Sequence, residues 1–307
     1  SSFGGMVGLR ELELFFNSMT GSLPSEMGNM EAMRKLNIPG NFFDGSIPSS
    51  LGNMQILENL YLNENSLTGA IPSTLGPMDQ LKELYLYQNF LTNTIPTSIG
   101  LNTNLLNIFL YDNFLTGQVP IIIDPHQLIE FDLSRNCLSG TIPTEIEKMT
   151  DIFVLNLNNN AIVGSIPTSL VTFDQLAYCN LYDNQFTGLL PELSASVVSI
   201  DVSANMLTGE IYSAIPSITG QINVAGNSLQ GSIPSTLAAY SNLHYLNISN
   251  NVINGIIPSE LCSSTSLTLD VYGTDISCYS GCLTSSAVQI DGASGDCHDG
   301  TITARFV

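Results

Sequence analysis

The stretches LENLYLNENSLTGAIPSTLG (57–76) and LKELYLYQNFLTNTIPTSIG (81–100) decide the fold. Laid one on the other, they match position for position at a distance of 24 residues. Their asparagines, Asn65 and Asn89, belong to a series that runs along most of the chain: Asn17, Asn41, Asn65, Asn89, Asn113, Asn136, Asn160, Asn184, Asn205, Asn227 and Asn251. The intervals are 24, 24, 24, 24, 23, 24, 24, 21, 22 and 24 residues. A fixed period of that size means stacked structural units, each burying its apolar side on its neighbours. Repeats are numbered here by their asparagines, 1 to 11.

Each position in the repeat has its own chemistry. Five and three residues before the asparagine stand apolar residues, such as Leu60 and Leu62 or Leu84 and Leu86. This period-two alternation predicts a short half-buried strand that stacks on its copies in a parallel sheet. The asparagine then turns the chain inward. A buried amide needs partners, so the eleven asparagines are expected to form a continuous hydrogen-bonded ladder. Four residues later comes glycine, replaced only by Asn93 in repeat 4. It suits a backbone that needs unusual dihedrals. Seven residues later comes proline, with Tyr212 as the exception, which favours an extended return path. Apolar residues at Met27, Leu51, Leu75, Ile99, Ile146 and Leu170 are placed to pack a short helix or turn onto the core.

These columns resemble the leucine-rich repeat, L-x-x-L-x-L-x-x-N-x-L. The L-T-G-x-I-P segment is similar to that of its plant-specific subclass, with a fainter likeness to the plant-type repeats of marine algae such as diatoms. The resemblance implies an α/β solenoid: a right-handed superhelix with a concave parallel β-sheet, a short second strand row at T-G-x-I-P, and short convex helices or turns. It covers residues 1–261. Residues 262–307 are expected to form a cysteine-containing C-terminal cap.

The two ends carry separate expectations. Ser1-Ser2-Phe3-Gly4 aligns with Ser49-Ser50-Leu51-Gly52 in the middle of a repeat, so the chain is expected to start inside a longer protein, with no signal peptide in this segment. Past Cys262 the repeat pattern fades, although SLTLDVYG still offers a last strand through Leu269 and Val271. Cys262, Cys278, Cys282 and Cys297 lie there and read as a disulfide-stapled cap in an oxidising compartment. Three pairings are open, and a zinc site is the rival. Cys137 and Cys179 are expected to be buried free thiols. Secretion or display at a cell surface follows. The sequon Asn247-Ile248-Ser249 makes Asn247 a glycosylation candidate.

The chain carries 7 lysines and arginines against 27 acidic residues, a formal charge of −20. That balance argues against nucleic acid and anionic membranes as partners. It suits a basic or neutral partner, divalent cations, saline water or plain solubility. No run of about 18 apolar residues offers a membrane span. Catalysis finds no constellation: His126, His244 and His298 stand in no nucleophile motif, and no cofactor or metal site is expected. Asp291, Asp296 and Asp299 lack the spacing of a calcium loop.

The outward positions of the strands are informative. Four and two residues before the asparagine, repeats 3 to 5 bring Tyr61, Tyr85, Phe109, Tyr87 and Tyr111 side by side, with Glu83, Asp112 and Asp132 beside them. Exposed tyrosines among carboxylates are how recognition surfaces are built. The competing reading is that the rings simply stack and stabilise the sheet. Further along, Asn156, Asn158, Asn180, Ser203 and Asn223 suit polyhydroxylated ligands or water. The sequence thus predicts a non-catalytic binding module for a protein, peptide or glycan. The alternatives are an adhesive scaffold that assembles with itself or other subunits, and ice binding through threonine and serine columns such as Thr20, Thr68, Thr92 and Thr116. The resemblance adds that the plant subclass supplies receptor ectodomains and secreted inhibitors of cell-wall-degrading enzymes.

Overall fold

A computed structural model of the chain describes residues 5–122, 127–211, 215–261, 267–277 and 288–290. Cys262, Cys278, Cys282, Cys297, His126, His298, Tyr212 and the aspartates at 291, 296 and 299 lie outside the described residues. The chain divides into two compact units, Ser1–Ile162 and Val163–Val307.

In the first unit, one short strand per repeat pairs in parallel with the next. The order is Glu11–Glu13, Lys35–Asn37, Asn59–Tyr61, Glu83–Tyr85, Asn107–Phe109, Glu130–Asp132 and Val154–Asn156. The register places Leu12, Leu36, Leu60, Leu84, Ile108, Phe131 and Leu155 in one column. From Leu36 onward this column is sealed from solvent. The second unit repeats the plan with Tyr178–Asn180, Ser199–Asp201, Gln221–Asn223, Tyr245–Asn247, Leu267–Asp270 and Val288–Ile290. The strand expected near Leu269 and Val271 is therefore present, and pairing runs on to Val288–Ile290.

The asparagine ladder forms as its chemistry demands. Asn89 donates from Nδ2 to the carbonyl oxygens of Leu62 (3.0 Å), Leu86 (3.1 Å) and Tyr87 (3.3 Å). Its Oδ1 accepts from the amide of Leu67 at 3.0 Å. One side chain thereby joins two repeats through backbone groups at the strand ends, among them the Tyr87 carbonyl, which also accepts from the amide of Glu64 at 2.9 Å. The same pattern recurs at Asn65, Asn113 and Asn136 in the first unit and at Asn205, Asn227 and Asn251 in the second.

The second strand row lies at T-G-x-I-P, for example Thr20–Ser22 against Phe42–Asp44 and Met206–Gly209 against Ser228–Ser232. Its glycine column is left-handed throughout, and the one substitute obeys the same constraint: Asn93 adopts φ +66° where Gly69 has +76°. Asparagine tolerates that region better than other residues with a side chain. The residue just before each ladder asparagine is left-handed as well, from Phe16 to Asn250, with glycine there only at Gly40 and Gly226.

The expected convex helices or turns are single-turn 3-10 helices such as Ser25–Asn29, Ser49–Asn53 and Thr97–Leu101. Five residues behind an extended proline are too few to nucleate an α-helix. Pro48, at φ −65° and ψ 129°, is the N-cap, and its carbonyl accepts from Leu51 at 3.1 Å. These turns pack so closely that the second glycine of the repeat is a contact point. A Cβ on Gly76 would lie 2.3 Å from the carbonyl carbon and oxygen of Ser98. Gly76→Ala is therefore expected to destabilise the chain by about 1–3 kcal/mol, as overpacking against an immobile backbone does. Urea unfolding checks this, and an unchanged midpoint would refute the close packing.

Cys179 is buried in the core column, and burial pushes its thiol up to about 12. Cys137 corrects the expectation of a second buried thiol, because it is exposed. It directly follows Asn136, where the side chain points outward, and Leu138 fills the core position one residue later.

Candidate functional site

The five rings lie on the outward face of the first unit's sheet. The backbone brings successive repeats to strand spacing, and the aromatic residues use that spacing to stack. Ring centroids are 4.7 Å apart for Tyr61 and Tyr85, 4.6 Å for Tyr85 and Phe109, and 4.4 Å for Tyr87 and Tyr111. Tyr87 and Tyr111 are nearly coplanar in orientation, at 8°. The two columns touch at their edges, with Tyr85 to Tyr87 at 6.4 Å and Phe109 to Tyr111 at 6.5 Å. The result is one continuous slab of half-buried rings. The rings stack on one another, as the competing reading expected, and none of them is sealed from solvent.

The carboxylates are placed differently from one another. Glu83 accepts a hydrogen bond from the Tyr61 hydroxyl, and Glu64 accepts from Tyr87 at 3.4 Å and from Asn63 at 3.2 Å. Asp112 is half-buried beside the slab. Asp132 is tied to its own turn and the next strand: Oδ1 accepts from the amide and hydroxyl of Ser134 (2.9 and 2.6 Å), and Oδ2 from Asn156 (2.9 Å). Asp201 repeats this arrangement in the second unit with Ser203 and Asn223. There the polar face that suited a glycan spends many of its donors and acceptors on itself. Asn247 lies on a strand, with Oδ1 accepting from Ser249 and Nδ2 donating to the Tyr245 hydroxyl.

The slab shifts its own phenols. Burial, then the Glu83 charge, pushes Tyr85 up to about 12. Burial followed by Glu83 raises Tyr61, burial followed by Glu64 raises Tyr87, and burial followed by Tyr87 and Asp132 raises Tyr111. A phenol whose folded value exceeds the unfolded one, about 10, keeps its proton longer in the native state. Its contribution to stability is complete below pH 10 and falls as pH rises from there toward the folded value. Absorbance titration of phenolate is expected to show Tyr61, Tyr85 and Tyr111 still protonated at pH 11 in the native protein and ionised in urea. Full ionisation of all 11 tyrosines at pH 11 in both states would contradict the slab.

Beside the slab runs a groove of about 500 Å³ that the sequence reading did not foresee. Its lining includes Gln88, Asp112 and Arg135, just before ladder asparagines, and Phe90, Phe114 and Cys137, just after them. Phe90 and Phe114 stack at 6.2 Å and are about half exposed. The signal was legible: Phe42, Phe90 and Phe114 all directly follow a ladder asparagine. The threonine and serine columns lie on the second strand row, where Asp44 and Leu189 interrupt them. Among the described residues, no cluster of side chains suits a metal ion and no helix is long and apolar enough to cross a membrane.

One parallel strand per repeat, an asparagine ladder and single-turn convex helices define a leucine-rich-repeat solenoid. The family described as Leucine Rich Repeat matches residues 8–30, 32–54, 57–78, 80–102, 127–149 and 242–264. The chain is similar to the Arabidopsis receptor kinase HAESA, solved with the peptide hormone IDA and the co-receptor SERK1, at 28% identity and a TM-score of 0.84. That match covers 94% of this chain and 50% of the other. The plant peptide hormone receptor RGFR1, solved with RGF2, gives 30% identity and a TM-score of 0.80 over 90% of this chain and 49% of its own. A plant ice-binding protein shares the fold at 21% identity and a TM-score of 0.61, covering 94% of this chain and 84% of that one. Comparison with curated protein sequences returned no significant match. The chain thus carries leucine-rich repeats and resembles plant-type leucine-rich-repeat proteins, each of its units built on a parallel sheet with one strand per repeat. It spans about half the length of the two receptor chains.

Proposed function

We propose that the chain is a recognition module of an extracellular or cell-surface protein, and that the ring slab of repeats 3 to 5 captures a peptide or protein segment. The observation that carries this reading is the slab itself: five stacked rings on a sheet face that no described part of the first unit seals from solvent. Stacking fixes the ring orientations before a ligand arrives, so little side-chain entropy remains to be lost on binding. The structural neighbours support the reading, because HAESA was solved with a peptide hormone and RGFR1 is a plant peptide hormone receptor. The groove beside the slab adds an apolar wall for a ligand side chain.

Ligand capture by the Tyr85→Ala/Tyr111→Ala variant tests the proposal. Peptides selected on the native chain should lose affinity by more than 100-fold. Undiminished capture by a folded variant would refute it.

A further inference from the structure

The charges around the slab are sorted by sign. The cations at the strand starts are occupied: Lys35 holds Glu13 at 2.6 Å, and Arg34 and Lys82 both hold Glu58, at 2.6 and 2.8 Å. The carboxylates flanking the rings have no ion-pair partner among the described residues. Glu83 and Glu130 stand where their strands begin, and Glu64 and Asp112 stand just past the strand ends. Two acidic rows therefore border the rings, separated along the strand by about five residues, or roughly 17 Å. Glu83 and Glu64 reach the slab itself through Tyr61 and Tyr87. Arg135 ends the row of Glu64 and Asp112, in the same position one repeat past Asp112, and among the described residues it forms no ion pair.

We infer that the slab selects a basic ligand, an extended peptide segment bearing lysine or arginine. This inference rests on the recognition reading above. Because the rings cover one another's faces, a ligand meets their edges, and those edges form an apolar ledge between two carboxylate rows. Lysine and arginine fit such a surface, laying an alkyl stem on the ledge while the head reaches a carboxylate. Neutral side chains would leave the carboxylates without a counter-charge, and acidic ones would be repelled. The four repeats bearing these acids span about 14 Å at roughly 4.8 Å per strand, which an extended segment of about five residues covers. The overall charge of −20 would attract such a segment from a distance.

The test is a random dodecapeptide display library panned against the full chain, the Tyr85→Ala variant, a Glu64→Gln/Glu83→Gln variant and a Glu145→Gln/Glu147→Gln variant. The last pair lies on a convex 3-10 helix, Thr144–Lys148, and controls for general attraction to an acidic protein. Both glutamine substitutions keep an acceptor for the tyrosine hydroxyls. The expected result is enrichment of lysine- and arginine-bearing peptides that need Tyr85. They should weaken at least tenfold with Glu64→Gln/Glu83→Gln and less than twofold with Glu145→Gln/Glu147→Gln. Tyr85-dependent peptides without basic enrichment would overturn the charge selection and leave the recognition reading standing. Equal weakening by both glutamine pairs would overturn it too, as non-specific attraction. A failure to enrich any Tyr85-dependent peptide would overturn both.

Discussion

Asn89→Asp is expected to destabilise the chain by about 3–5 kcal/mol at neutral pH, with most of that loss recovered in acid. The side chain keeps its shape and Oδ1 can still accept from Leu67. What disappears is the amide donor that serves three carbonyl oxygens, those of Leu62, Leu86 and Tyr87. An ionised carboxylate would point an oxygen at those acceptors in a buried setting, and an uncompensated buried charge costs about 3–5 kcal/mol. Protonation relieves the repulsion, because the acid can donate to one carbonyl. The folded-state pKa of the new group must therefore lie above its unfolded value of about 3.9. Below the unfolded value both states hold the proton, and the penalty is least. As pH rises from there to the folded value, the unfolded state releases its proton first and stability falls. Urea unfolding of the variant and the native chain between pH 3 and 7 measures the difference. A gap that does not widen with pH would mean that the ladder is held by something other than these amide donors.

The same ladder explains why so much of the fold was legible. Asparagine at a fixed period admits few interpretations, since a buried primary amide must satisfy two donors and an acceptor, and its own strand end and the neighbouring repeat between them supply the partners. The alternation at Leu84 and Leu86 gave the strand, and Asn93 confirmed that the glycine position demands a left-handed backbone. The residue before each asparagine escaped notice because its left-handed conformation is imposed by the turn. Glu64, Gln88, Arg135 and Ala204 all adopt it, and none of them announces it. Cys137 was misplaced because its neighbour Leu138, not Cys137 itself, holds the core position. The strand Val288–Ile290 was missed because no ladder asparagine marks it. Within the candidate site, adjacency was readable and commitment was not. The sequence set Asp132 beside the rings, but only geometry shows its two oxygens engaged by Ser134 and Asn156.

The Tyr85→Ala/Tyr111→Ala variant should separate folding from binding. Tyr85 touches both Tyr61 and Phe109, whereas Tyr111 stacks on Tyr87 alone. Aromatic pairs contribute about 0.5–1.5 kcal/mol each beyond area burial. The three lost stacks therefore cost about 1.5–4.5 kcal/mol, against about 0.6–3 kcal/mol for three ordinary cross-strand pairs. The core column beneath, Leu84 and Leu110, is sealed and independent of the rings, so the repeats should remain folded. Binding should suffer more. Central tyrosines in recognition surfaces commonly contribute 2 kcal/mol or more each, and two such losses correspond to a drop of roughly 1000-fold in affinity. Circular dichroism and calorimetric titration of the same samples measure both quantities. Loss of the folded signal together with binding would make the slab structural. Retention of fold with loss of affinity identifies it as the ligand face.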